Sequence, residues 1–174
     1  MAILLGLDSS TATTGWAFVD TDTKEILDAG FIKTDKIKGR YDKVTHIQGV
    51  LRANPLMSQT AKVLVEASLM NVQGKTSKQT IIMLAKHNAV LCFVLEQEFG
   101  IPVDDVDPNV VRKTLWGVSR VKGFTSKQLV AIKVKANYNV DPWIKMNTRG
   151  TPDKCNEDMF DAIIMAYYGI YTHK

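Results

Sequence analysis

Four carboxylates stand where their chemistry could be pooled. Asp8 ends the apolar run Ile3-Leu4-Leu5-Gly6-Leu7, and Glu66 ends Lys62-Val63-Leu64-Val65. Each reads as an acid closing a short, fully buried strand. Alone, such an acid is a turn former. Two of them on parallel neighbouring strands would emerge at one sheet edge, where open α/β sheets carry their sites. Asp158 and Asp161 lie three residues apart in a helical segment and so share a face. Asp158, in a first turn, could serve only the helix dipole. Asp161 is harder to explain that way, because it sits between Phe160 and the apolar run Ala162 to Ala166. Four clustered carboxylates cannot all stay ionised without cations among them. Oxygen-only ligands favour magnesium, with manganese as a substitute. Two such ions, about 3.5–4 Å apart, would activate a water and stabilise the leaving oxygen in phosphodiester cleavage.

The elements needed to position these acids can be read along the chain. Ile3 to Asp8, Gly15 to Val19 and Glu25 to Lys33 read as a three-stranded meander. Gly39 to Met57 reads as an amphipathic helix, with Val44, Ile47, Val50 and Leu51 on one face and Asn54-Pro55 disturbing its end. It would act as the crossover that sets the strand Lys62 to Glu66 parallel to the first. Thr76 to Phe99 is a long helix with Ile81, Leu84, Asn88, Leu91 and Leu95 at helical spacing, stopped by Gly100 and Pro102. Val103 to Val106 is a further strand. Asp107 then caps a helix opened by Pro108. Thr125-Ser126 caps another that runs to about Asn137, and Tyr138 to Lys154 is loop-like. Asn156 caps the closing helix, whose stripe of Phe160, Ile163, Ile164, Tyr167, Tyr168 and Tyr171 must face a core. This order predicts an α/β fold, a mixed five-stranded sheet flanked by helices, as a single domain over 1–174.

Bulk properties narrow the function class. Hydrophobic residues are 45% and charged residues 23% of the chain, which argues against disorder. The longest apolar runs are too short to span a bilayer, so no membrane is expected. The N-terminus has no basic leader or small-residue cleavage site and reads as a strand, not a signal peptide. Cys92, within an apolar run, is expected to be a buried thiol. With Cys155 it makes up the cysteine content, with no zinc-like cluster, which suits a cytoplasmic protein. Charge is unevenly spread. Between Asn109 and Gly150 stand nine basic residues against Asp141 alone, giving +8 where the whole chain carries +4. That stretch is either a solvated face or a grip on a polyanion.

The motifs Gly6-Leu7-Asp8, Thr14-Gly15-Trp16-Ala17, Val65-Glu66 and Glu157-Asp158-Met159-Phe160-Asp161-Ala162 resemble, in order and spacing, those of the RuvC Holliday-junction resolvases. These are homodimeric, metal-dependent endonucleases with a ribonuclease H-like fold. The resemblance implies that Asp8, Glu66, Asp158 and Asp161 bind two magnesium ions, and that four-way DNA junctions are cut to a 5′-phosphate and a 3′-hydroxyl. It implies further that Lys113 and Lys127 lie near the scissile phosphate, Lys127 in a catalytic role, and that the long second helix forms the dimer interface. Arg112, Arg120 and Lys122 join the lysines as expected DNA contacts. Where the family often carries an aromatic residue three positions after the strand glutamate, this chain has Leu69, an apolar wedge at best. The segment 138–155 is longer than its bacterial counterpart, and its Trp143, Lys145 and Arg149 could reach DNA.

Three other readings compete. Gly6 to Thr11 with Thr14-Gly15 resembles the first phosphate loop of the actin and sugar-kinase ATPases, but 174 residues leave no room for a second lobe. A junction-binding protein without catalysis would have no reason to cluster four acids. A ribonuclease H-like nuclease acting on flaps, forks or hybrids would use the same metal site.

Overall fold

The structure, a computed structural model, describes residues 2–68 and 77–172. Strands β1 (Ile3–Ser9), β2 (Thr13–Asp20) and β3 (Ile26–Lys33) form the antiparallel meander. Helix α1 (Arg40–Ala53) crosses over to β4 (Thr60–Glu66), which lies parallel to β1. Helix α2 (Lys78–Phe99) leads to β5 (Val103–Val106), parallel to β4. Then follow α3 (Pro108–Trp116), α4 (Ser126–Asn137) and α5 (Asn156–Thr172). The sheet order is β3-β2-β1-β4-β5, a mixed five-stranded sheet as expected.

Strand alternation sorts the core into two layers. On one face Ile3, Leu5, Leu7, Val63 and Val65 pack against Val44, Ile47 and Leu51 of α1 and Leu91 and Leu95 of α2. On the other, Leu4, Ala17, Val19 and Leu64 pack against α5, with α3 and α4 outside it. Helix α5 is thus covered on several sides, and Met159 to Tyr167 are all buried. Each fully buried Met or Ile side chain in that run contributes about 1.5–3 kcal/mol relative to exposure. That burial holds α5 to the sheet.

Several expectations change in detail. Helix α1 stops at Ala53, because the residue before Pro55 is driven to extended backbone. The Asn54 side chain then caps a separate 3₁₀ turn, Pro55–Gln59. Val50 is exposed, so α1 buries only Val44, Ile47 and Leu51. Ser77 caps α2 by accepting from the Thr80 amide, and the expected start at Thr76 lies outside the described residues. Thr125 and Gln128 form a reciprocal capping box on α4. Tyr171 lies outside the core, at 60% exposure. Cys92 is only half-buried, and burial together with the nearby Asp105 carboxylate pushes its thiol up to about 12. The segment 138–154 is not a plain loop. It holds a 3₁₀ turn, Asp141–Trp143, and a β-bridge between Met146 and Pro152. Among the described residues no helix is long and apolar enough to cross a membrane.

Candidate active site

Parity decides which way the strand acids face. Leu4 and Leu64 belong to the α5 layer, so Gly6, Asp8 and Glu66, at even spacing from them, turn to the same side. Leu7 pairs with Val65 in parallel register, which sets Asp8 beside Glu66 at the carboxyl ends of β1 and β4. Helix α5 then reaches them because two glycines let its backbone settle on the sheet. A Cβ on Gly6 would lie 2.0 Å from the Ala162 carbonyl oxygen, and one on Gly15 would lie 2.0 Å from that of Asp158. The absence of both side chains brings the first turns of α5 down onto the acids.

The outcome is a carboxylate cluster. Oxygens of Asp8, Glu66 and Asp161 all lie within 4.8 Å of one another. They line a cleft of about 350 Å³ with Asp158, Lys127, Ser9, Ser10, Ile81 and Leu84 among its walls. Asp158 is engaged separately, accepting a hydrogen bond from Lys127 at the start of α4. The same ammonium stands 4.0 Å from Asp161 Oδ2.

The electrostatics record how crowded this is. Burial, then the charges of Glu66, Asp161 and Asp158, hold Asp8 well above the usual carboxylate range, with Lys127 opposing. Burial and the neighbouring Asp161 push Glu66 up to about 8, against the pull of Arg112 and Lys127. Burial raises Asp161 to about 7, although Lys127 and Arg112 favour its charged form. Burial works against the charge on Lys127, but the hydrogen bond to Asp158 and the surrounding acids outweigh it and raise its pKa. A divalent cation would relieve this repulsion, and the hard oxygen donors suit magnesium or manganese, so the residues fit such an ion.

The basic residues separate into distinct places. Lys127 is in the cleft with its side chain 47% exposed. Lys113, Arg120 and Lys122 are exposed on α3 and the α3–α4 connection. Arg112 departs from the expectation of a surface DNA contact. It is only 5% exposed, donates from Nη2 to Asn109 Oδ1 at 3.1 Å, and acts on Glu66 and Asp161 from within the fold. Leu69 lies outside the described residues. One contributor read from the sequence only as part of a helical stripe, not as a site residue, is Asn88 on α2. Its amide donates to the Glu66 carbonyl oxygen at 3.3 Å and to Asp105 Oδ1 at 3.1 Å, tying the end of β4 to α2. The available signal was a polar residue within the apolar stripe of that helix. Asn156, expected as a cap, instead uses its side chain to hold the preceding segment at Lys145 and Asp153.

Fold and site together define a ribonuclease H-like domain with its carboxylates at the shared end of β1 and β4. No protein-family model matches the chain. It is 25% identical over 167 residues to the crossover junction endodeoxyribonuclease RuvC of Rickettsia felis, covering 95% of each chain. It is 24% identical over 172 residues to the RuvC of Rickettsia conorii, covering 98% of each. In fold it is similar to Thermus thermophilus RuvC solved with a Holliday-junction substrate. That match has a TM-score of 0.68 at 16% identity and covers 99% of this chain and 96% of the other. The chain is thus similar to RuvC resolvases along nearly its whole length, in sequence and in fold.

Proposed function

We propose that the chain is a structure-selective endonuclease that cuts four-way DNA junctions, one nuclease domain with two magnesium ions held by Asp8, Glu66, Asp158 and Asp161. The observation that carries this reading is the convergence of Asp8, Glu66 and Asp161 oxygens within 4.8 Å, in a fold shared with resolvases. When bound, the ions supply Lewis-acid stabilisation of the phosphate and lower the pKa of a water. Everything else falls to the chain's own residues. The carboxylates orient the ions, and Asn88 and Arg112 steady Glu66 from behind. Lys127, once it leaves Asp158, neutralises charge that develops on the scissile phosphate. Lys113, Arg120 and Lys122 grip the DNA backbone, and the products carry a 5′-phosphate and a 3′-hydroxyl. Manganese substitutes for magnesium, and the protein works on DNA in the cytoplasm.

A homodimer would place two such sites on one junction. Supporting this, Ile82 and Phe93 are 53% and 63% exposed on α2. They stand about 20° apart around its axis, three turns along one face. The test is cleavage of a synthetic immobile four-way junction against linear duplex, flap and hybrid controls, with magnesium and with EDTA. Paired symmetric nicks in the junction alone, lost with EDTA, are expected. Cutting of flaps or hybrids in place of junctions would keep the metal site and move the substrate.

A further inference from the structure

The segment between α4 and α5 carries more internal order than its packing requires. Met146 bridges Pro152, the Asn147 amide donates to the Thr151 carbonyl at 2.8 Å, and the Asp153 amide donates to that of Lys145 at 2.9 Å. Inside the turn, Asn147 Oδ1 accepts from the Arg149 amide at 2.8 Å, and Asn147 Nδ2 donates to Thr151 Oγ1 at 2.7 Å. Gly150 takes the left-handed conformation the turn needs, at φ +71°. Beneath it, the buried Asn156 side chain bonds both the amide and the carbonyl of Lys145, at 3.0 and 2.8 Å. The result is a short, braced hairpin.

Its order does not come from a core. Residues 148–151 are exposed, and Met146 is 62% exposed. Its position is informative. Lys33 pairs with Asp153 at 2.6 Å, and Thr13 Oγ1 lies 3.7 Å from Cys155 Sγ. Thr13 is paired with Lys33, and Gly15 with Asp8, so the hairpin stands at the acid end of the sheet, over β2 and β3. Lys145, Arg149 and Lys154 are exposed, and among the described residues none of them has a carboxylate partner. A cationic tip tied at its backbone but free at its guanidinium is pre-organised for an external anion, and a guanidinium fork matches phosphate oxygens.

We propose that this hairpin is a built-in grip on the sugar–phosphate backbone of a DNA arm beside the cleft, with Arg149 as its tip contact. The inference rests on the reading of the chain as a nuclease of branched DNA. The test is equilibrium binding of the full chain to an immobile four-way junction in EDTA, across about 50–200 mM salt. Arg149→Ala is expected to weaken binding several-fold and to reduce the salt slope by about 0.9, the share of one phosphate contact. Arg149→Lys should keep the slope. Asn147→Ala, which loosens the turn but keeps the charge, should weaken binding with the slope unchanged. Thermal melting of Arg149→Ala should match the parent, because among the described residues its side chain makes no hydrogen bond or ion pair. Unaltered affinity and slope in Arg149→Ala, with the parent binding well, would overturn the grip alone. A parent that binds no DNA would remove the nuclease reading with it.

Discussion

A methyl group on Gly15 would lie 2.0 Å from the main-chain oxygen of Asp158. A strand residue with no chemistry of its own thereby sets how close the first turn of α5 comes to Asp8. Gly15→Ala is expected to lift that turn, at an overpacking cost of about 1–3 kcal/mol. Cutting should fall further than stability does. Melting with and without magnesium checks this, since the variant should lose most of the metal-induced rise in Tm. A variant that cuts like the parent would show that α5 is not held there.

Asp158→Asn is expected to leave junction affinity largely intact and to abolish cutting. Loss of an outer partner of a metal ligand typically costs about 10–100-fold, and loss of a ligand itself should exceed that. Gel-shift and cleavage assays on one preparation separate the two effects. An equal fall in both would count against a purely catalytic role.

The raised carboxyls predict an unusual pH dependence for the metal-free protein. Unfolded, these acids titrate near about 4. Folded, Asp161 and Glu66 hold their protons to about 7 and about 8. Between those limits the native state binds more protons than the unfolded state, so stability falls as pH rises. Tm in EDTA should therefore decline from pH 5 to above pH 8. Magnesium should flatten the decline by occupying the deprotonated site, with affinity that increases with pH. A Tm in EDTA that climbs over this range would contradict the crowded geometry.

Lys127 occupies the place of a counter-charge, bonded to Asp158 and close to Asp161. Its removal should act in opposite directions on binding and chemistry. In Lys127→Gln, magnesium should bind more tightly near pH 8 because no ammonium competes for the acids. Turnover should nevertheless drop by about 10²-fold or more, as for loss of an oxyanion donor. Calorimetric titration of the metal and single-turnover cleavage read the two separately. Weaker magnesium binding would assign the lysine to holding the ions' shell instead.

Much of this site was legible in the sequence because it follows from parity and periodicity. Asp8 and Glu66 each end an apolar run, and Asp158 and Asp161 share a helical face. The meander, the parallel β4 and the Asp107-Pro108 start of α3 follow from similarly local rules. Arg112 was less legible. Arg112 and Lys113 are adjacent cations on a helix of nine residues, and which one turns inward depends on the phase of that helix against α5. The structure buries Val111 and Arg112 and leaves Val110 and Lys113 outside. The hairpin at 145–153 was hidden for another reason. Its order comes from side-chain amides of Asn147 and Asn156 bonding to backbone, which leaves no hydrophobic pattern to read.

The acids come from opposite reaches of the chain, Asp8 from the first strand and Asp158 and Asp161 from α5. On the ribosome, β1 and β4 would form with one face still bare, and no pair of their carboxylates would have its helical complement. On the proposed reading, the carboxylate site is therefore incomplete throughout synthesis and is completed only when α5 emerges and docks. A nascent chain stalled before residue 156 should bind a hydrophobic dye and leave DNA intact.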